Sequence, residues 1–170
     1  RVENYQPAQA SIIYDRHGQV VKRIFTENRT VVPLSQMHPL LPKAFVAAED
    51  GRFYEHPGLD FLSVLRAAIN NAREGRRGQG GSTITQQLAK NYFLTPDRNL
   101  VRKLREALLA IVMEFKYSKH EILEIYLNEI YLGQKGSVAV NGIGEAAYFY
   151  FGKPVQELSF SEAATIAGLI

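Results

Sequence analysis

Apolar positions recur at helical spacing along most of the chain from residue 40 onward. Leu40 to Ala48 is an apolar, helix-like run, and the polar stretch after it ends in Pro57-Gly58, a pair that stops a helix. Leu59 to Glu74 places Phe61, Leu65, Ala68, Ile69 and Ala72 on one face, with Arg66, Asn70 and Arg73 away from it. Gly75 to Gly81 reads as a basic, glycine-rich loop, and Thr83 to Leu94 as a second helix. Thr95-Pro96 forms an N-cap and N1 pair. The long helix after it should reach about Tyr117, with Leu100, Leu104, Leu108, Ile111 and Phe115 as its apolar stripe. Ser118 to Glu121 and Ser159 to Glu162 have the form of capping boxes opening two further helices. Before residue 40 the period changes. Ser11 to Tyr14 and Val20 to Phe25 are β-prone runs around Asp15-Arg16-His17-Gly18, a small hairpin, and Thr26 to Pro39 is a connector. Gly133 to Gly144 reads as a loop, followed by a short aromatic helix to Phe151. The expected fold is mainly α with a short N-terminal β-hairpin.

Composition sharpens this only a little. The chain has 170 residues, enough to bury a core, and 46% hydrophobic residues, which excludes disorder. It contains no cysteine, so no thiolate chemistry is available. A formal net charge of +3 suits an anionic partner but is too modest and mixed for a nucleic-acid footprint. The last residues, Ala163 to Ile170, are still helix-like, as expected of a piece of a longer protein. His17, His38 and His120 show no spacing that implies a metal site.

Three stretches carry candidate chemistry. Ala48 to Gly58 places Glu49, Asp50, Phe53 and His56 at the end of an apolar helix, a rigid support for a polar cluster. By itself it also reads as a charged helix end. Gly80 to Asn91 combines two glycines with Ser82 as a natural N-cap, so its first N–H groups offer an anion site. Thr83, Gln87 and Lys90 would line one face of that helix. Arg102, Lys103 and Glu106 are spaced to meet on one side of the long helix, roughly opposite its apolar stripe. They read either as a surface ion-pair ladder or as a carboxylate held among cations beside a phosphate-binding surface.

Taken together and in order, these stretches resemble the peptidoglycan glycosyltransferases, the family 51 transglycosylases found in class A penicillin-binding proteins. The resemblance runs from about Val32 to Ile170. Its motifs are Glu49-Asp50-x-x-Phe53-x-x-His56-x-Gly58, Gly80-Gly81-Ser82-Thr83-Ile84-Thr85-Gln86-Gln87-Leu88-x-Lys90-Asn91 and Arg102-Lys103-x-x-Glu106. Lys119-x-x-Ile122-Leu123-Glu124-x-Tyr126-Leu127-Asn128 and Gly142-x-Gly144-x-Ala146-Ala147 with Phe151-Gly152-Lys153 follow. The resemblance implies residues 36–170 as the catalytic domain after a hairpin and connector at 1–35. It implies a lysozyme-like helical fold with a small jaw lobe at about 59–80 facing an anionic membrane surface. The implied reaction polymerises lipid II into β-1,4-linked glycan, with inversion and release of undecaprenyl pyrophosphate. Glu49 would be the general base and Glu106 the second catalytic carboxylate. Lys90, Arg102 and Lys103, with Ser82 and Thr83, would meet the pyrophosphate; Asp50, Phe53, His56, Gln86, Gln87 and Asn91 would shape the sugar sites. No cofactor is required, although a divalent cation, Mg or Mn, is compatible with a pyrophosphate. A transpeptidase domain elsewhere in the chain and a place at the outer side of the bacterial inner membrane are further implications; nucleic acid is not a partner. A lysozyme-like hydrolase and an inactive lipid-binding module are the competing readings.

Overall fold

The computed structural model describes residues 11–14, 20–24, 30–66, 81–93, 100–136 and 138–170. Among the described residues the chain is mainly helical. Strands β1 (Ser11–Tyr14) and β2 (Val20–Ile24) pair antiparallel as the expected hairpin, with Ser11 opposite Ile24. Helix α1 spans Leu40–Glu49 and α2 covers 61–66; α3 (Ile84–Phe93), α4 (Leu100–Lys116) and α5 (Lys119–Glu129) follow. Next come β3 (Tyr131–Lys135), β4 (Val138–Asn141), α6 (Gly142–Phe151) and α7 (Phe160–Ala167). The remainder of the Leu59 to Glu74 helix, most of the Gly75 to Gly81 loop and the Thr95-Pro96 cap lie outside the described residues.

The β3–β4 hairpin corrects the expectation of a loop between Gly133 and Gly144. Its strands pair antiparallel, Lys135 opposite Val138, around a turn at Gly136 with φ 61°. Three glycines between residues 133 and 142 hide the strand pattern, since glycine weakens strands in general. Gly136, however, supplies the left-handed turn that a tight hairpin needs.

The chain divides into two compact units, residues 1–42 with 127–170, and residues 43–126. In the first unit Asn128 is buried. Its side chain brackets the backbone of Val32, accepting from the N–H at 2.8 Å and donating to the carbonyl at 2.9 Å. A side-chain amide thus completes the hydrogen bonding of an isolated segment, as a neighbouring strand would. Gly142 opens α6 at φ 77° directly against the Asn128 backbone, where a Cβ would lie 2.9 Å from its carbonyl carbon. Only glycine meets both demands. The capping box at Ser159 and Glu162 is present as expected, with the Ser159 N–H bonded to Glu162 at 2.7 Å.

The second unit holds the expected site motifs. Its core is built on Phe45, Phe53, Ile84, Leu88, Ile122 and Leu123, all completely buried. Burial of each such side chain contributes about 1.5–3 kcal/mol. The Ser118 capping box starts α5, with Glu121 accepting from the Ser118 N–H at 2.7 Å. These bonds hold the Glu121 carboxyl below its ordinary range.

Candidate active site

Glu49 is the last residue of α1, half-buried, so the apolar helix behind it fixes where its carboxylate emerges. Gln87 on α3 donates from Nε2 to one Glu49 oxygen at 2.7 Å, and the Tyr126 hydroxyl meets the Gln87 amide oxygen at 3.3 Å. Asp50 follows immediately but faces inward, 8% exposed. Its two oxygens lie 3.0 and 3.1 Å from His56 Nε2, and one accepts from the Ile84 N–H at 3.0 Å. The Gly58 N–H donates to His56 Nδ1 at 3.2 Å, which leaves Nε2 as the protonated nitrogen that donates to Asp50. Gly58 itself has φ 92°, and a Cβ there would meet the Ala110 carbonyl at 3.0 Å. The Pro57-Gly58 turn therefore serves close packing against α4 as well as ending the motif.

The start of α3 differs from the sequence reading. The cap is Thr83, not Ser82. Thr83 and Gln86 form a capping box: the Gln86 N–H donates to the Thr83 hydroxyl at 3.2 Å, and Gln86 Oε1 accepts from the Thr83 N–H at 3.0 Å. The Thr83 hydroxyl in turn donates to the Gly58 carbonyl at 2.6 Å. With the Ile84 N–H given to Asp50, three N–H groups at this helix start, those of Thr83, Ile84 and Gln86, are engaged by the protein's own groups. A threonine followed three residues later by glutamine was the signal for this; the adjacent serine obscured it.

Several residues expected at the substrate are tied into the protein's own bonds. Asp50, His56, Thr83 and Gln86 are buried and bonded to one another or to backbone, and Phe53 is fully buried. They hold the site's geometry. Lys119 reinforces it, donating to the His56 carbonyl at 2.7 Å and to Glu114 at 2.8 Å, with its ammonium 4.4 Å from the Phe53 ring centroid. Thr85 donates to the same Glu114 oxygen at 2.5 Å. The sequence placed Lys119 in a capping box and at the head of a motif, but its reach to the His56 carbonyl spans 63 positions and was not legible.

Helix α4 is turned relative to expectation. Leu100, Leu104, Leu108 and Phe115 are exposed, Phe115 at 87%. The buried positions are Glu106, Ala110 and Met113. The face against α3 is thus narrow and partly polar, and the apolar stripe points outward. Glu106, 2% exposed, accepts from Arg102 at 3.1 Å and forms a close ion pair with Lys103. Lys103 also donates to the Ser82 hydroxyl at 2.8 Å. The surface-ladder reading fails here, since a carboxylate this deeply buried must be paired with cations. Lys90 and Asn91 lie exposed at the end of α3.

A cleft of about 350 Å³ within the second unit is lined by Glu49, Asp50, Asp60, Ser63, Arg66, Ser82 and Thr83 among others. Asp60, Ser63 and Arg66 were missed as site residues. Asp60 caps α2, accepting from the Ser63 N–H at 3.0 Å and the Ser63 hydroxyl at 2.5 Å. Burial would raise its carboxyl, but these bonds, with Arg52 and His56, hold it below the ordinary carboxylate range. An Asp-x-x-Ser pattern before an apolar run was a readable cap signal; its place in the cleft was not. Among the described residues no group of three or more His, Asp or Glu side chains is arranged to hold a metal ion.

The described helices and cleft define a mainly helical domain with one carboxylate at the rim of the cleft and a second carboxylate held among cations. Residues 17–170 match the model of the transglycosylase family, and the chain belongs to that family. It is 49% identical over 168 residues to penicillin-binding protein 1A of Aquifex aeolicus (strain VF5), covering 99% of this chain and 23% of that protein. Identity to penicillin-binding protein 1A of Escherichia coli (strain K12) is 48% over 157 residues, 92% of this chain and 18% of that protein. Identity to penicillin-binding protein 1B of Vibrio cholerae serotype O1 is 48% over 144 residues, 85% of this chain and 18% of that protein. The chain thus spans about a fifth of the length of these relatives.

Proposed function

We propose that this transglycosylase domain is a peptidoglycan glycosyltransferase that polymerises lipid II during cell-wall synthesis. One observation carries the reading: a single cleft runs from Glu49 to Ser82, and Ser82 is bonded to a lysine of the Arg102–Lys103–Glu106 cluster. This arrangement supports a reading in which a base and a cationic group act at one reacting centre.

In the reaction, the 4-hydroxyl of the acceptor's terminal GlcNAc attacks C1 of the donor's MurNAc. The new O–C1 bond forms as the C1–O bond to undecaprenyl pyrophosphate breaks, and the configuration at C1 inverts. Glu49 takes the hydroxyl proton, since an alcohol is a poor nucleophile until it is deprotonated. The leaving diphosphate is a weak base and needs charge neutralisation more than a proton. Lys103 and Arg102 supply it from an electrostatically fixed position, and Glu106 holds both in place. Lys90 is a further cation available to the diphosphate. A divalent cation could accompany the substrate, but no step above depends on one. The hydrolase alternative leaves the cation cluster without a task.

The substrate's lipid implies a membrane surface. Phe61, Leu62, Val64 and Leu65 of α2 are exposed, which supports contact of the jaw lobe with lipid. No helix among the described residues is long and apolar enough to cross a membrane. We infer that the domain works at the outer side of the bacterial inner membrane, in a longer chain that also carries a transpeptidase domain. Labelled lipid II incubated with the domain in detergent should give polymer on a gel, and purified sacculi should stay turbid. Clearing of sacculi without polymer would overturn the transferase reading.

A further inference from the structure

The contact between Gln87 and Glu49 depends on which way the Gln87 amide is turned. Its nitrogen faces the carboxylate at 2.7 Å and its oxygen faces the Tyr126 hydroxyl at 3.3 Å. A carboxylate only accepts hydrogen bonds, so the opposite orientation would set the amide oxygen against it. The amide is half-buried on α3 and has two orientations of nearly equal shape; only its partners choose between them. Tyr126 is 1% exposed, on α5, and among the described residues its hydroxyl donates to the amide oxygen. Burial, then the charges of Glu49 and Asp50, push the phenol above its ordinary value, which keeps it an O–H donor. The three groups form one directed chain, O–H to C=O and N–H to carboxylate, and each bond polarises the next.

We propose that Tyr126 is a positioning residue for catalysis: its hydroxyl pins the Gln87 amide so that Gln87 holds one Glu49 oxygen and leaves the other for the acceptor hydroxyl. The inference deepens the transferase reading and rests on Glu49 being its base. The remaining charged groups at the cleft are differently committed. Asp50 is bonded to His56, Asp60 to Ser63, and Arg66 lies across the cleft lining. Among the described residues, Gln87 is the side chain bonded to the Glu49 carboxylate.

The test uses Tyr126→Phe, Gln87→Met and the double variant, in the same chain. Tyr126→Phe keeps the buried ring and removes only the hydroxyl. Turnover of lipid II should fall about fivefold, the effect of losing one hydrogen bond of ordinary strength, with KM changed less than twofold. Gln87→Met should lose more, and the double variant no more than Gln87→Met alone, because Tyr126 acts through Gln87. A second readout does not need activity. In protein labelled with ¹⁵N-glutamine, the Gln87 side-chain NH₂ signals, assigned with Gln87→Met, should be protected from exchange in the parent. They should lose that protection in both Tyr126→Phe and Glu49→Ala. Unchanged protection in Tyr126→Phe, or losses that add in the double variant, would overturn the pin. If Tyr126→Phe does not fold, loss of protection in Glu49→Ala and a kcat-only effect in Gln87→Met support the amide's orientation, and their absence overturns it. A parent that makes no polymer from lipid II but shows the protected NH₂ would sink the transferase reading and leave the pin standing.

Discussion

Two buried carboxylates in residues 43–126 have opposite surroundings. Asp50 is bonded to His56 and to the Ile84 N–H, both inside the protein. Glu106 is bonded to Arg102 and Lys103, whose side chains are 18% and 45% exposed. Both carboxylates are nearly inaccessible, yet only the second presents charge outward. Asp50 consumes its charge in joining the end of α1, the His56 turn and the start of α3. Glu106 uses its charge to hold two cations at a surface, where the proposed reaction would bring a diphosphate. The exposure of a buried group's partners, more than its own burial, separates a framework carboxylate from one that serves chemistry.

The largest test of this contrast sets the neighbours Glu49 and Asp50 side by side. Glu49→Gln should lower lipid II turnover by about 10²–10⁴-fold, as expected for loss of a general base. Its thermal midpoint should stay within about 2 °C of the parent's, because the change is nearly isosteric at a half-buried site. Asp50→Ala leaves a buried histidine and a helix N–H without their acceptor. It should cost about 3–5 kcal/mol of stability, a fall of roughly 10 °C by calorimetry. An Asp50→Ala protein as stable as the parent would remove the framework role.

Glu106→Gln sharpens the other half. It keeps the shape but frees Arg102 and Lys103 from their common anchor. Turnover should drop about 10²-fold, a loss typical of disordered charge stabilisation, while stability falls less than in Asp50→Ala. A pyrophosphate-bearing inhibitor should bind this variant more weakly in calorimetric titration. Lys103→Met should show a milder form of the same loss, with the Ser82 contact gone as well. Unaltered inhibitor binding in both would place the diphosphate elsewhere.

The smallest effect lies outside the site. Burial raises the Glu129 carboxyl from 4.5 to about 7. The folded chain then holds this proton more tightly than the unfolded chain does, so its contribution to stability declines as pH rises from 4.5 to 7. Glu129→Gln should flatten that part of the stability–pH curve. Denaturant melts at several pH values would show it, and an unaltered slope would remove Glu129 as the cause.

Local rules explain much of what the sequence made legible. The caps at Ser118 and Ser159 rest on bonds spanning three residues, and α1 and α5 on apolar spacing alone. The order of the motifs also identified the carboxylates and cations before any contact was visible. What failed was orientation. An apolar stripe normally faces a core, and α4 breaks that rule because its inward face carries Glu106. The cap of α3 went to the wrong one of two adjacent hydroxyl residues, since only the Gly58 carbonyl and the Gln86 amide distinguish them.

By itself, then, the sequence determined most of the helices, the caps at Ser118 and Ser159 and the membership of the chain in its family, because each depends on residues a few positions apart or on ordered motifs. Tertiary structure alone decided that Asp50 meets the Ile84 N–H, that Thr83 reaches the Gly58 carbonyl, that Glu106 points inward and that Lys119 reaches the His56 carbonyl. Those outcomes depend on hydrogen bonds between residues up to 63 positions apart, as in the Lys119 to His56 contact. No local spacing encodes such pairs; the packing of α1, α3, α4 and α5 selects them, and with them the half of each motif that is left to meet the substrate.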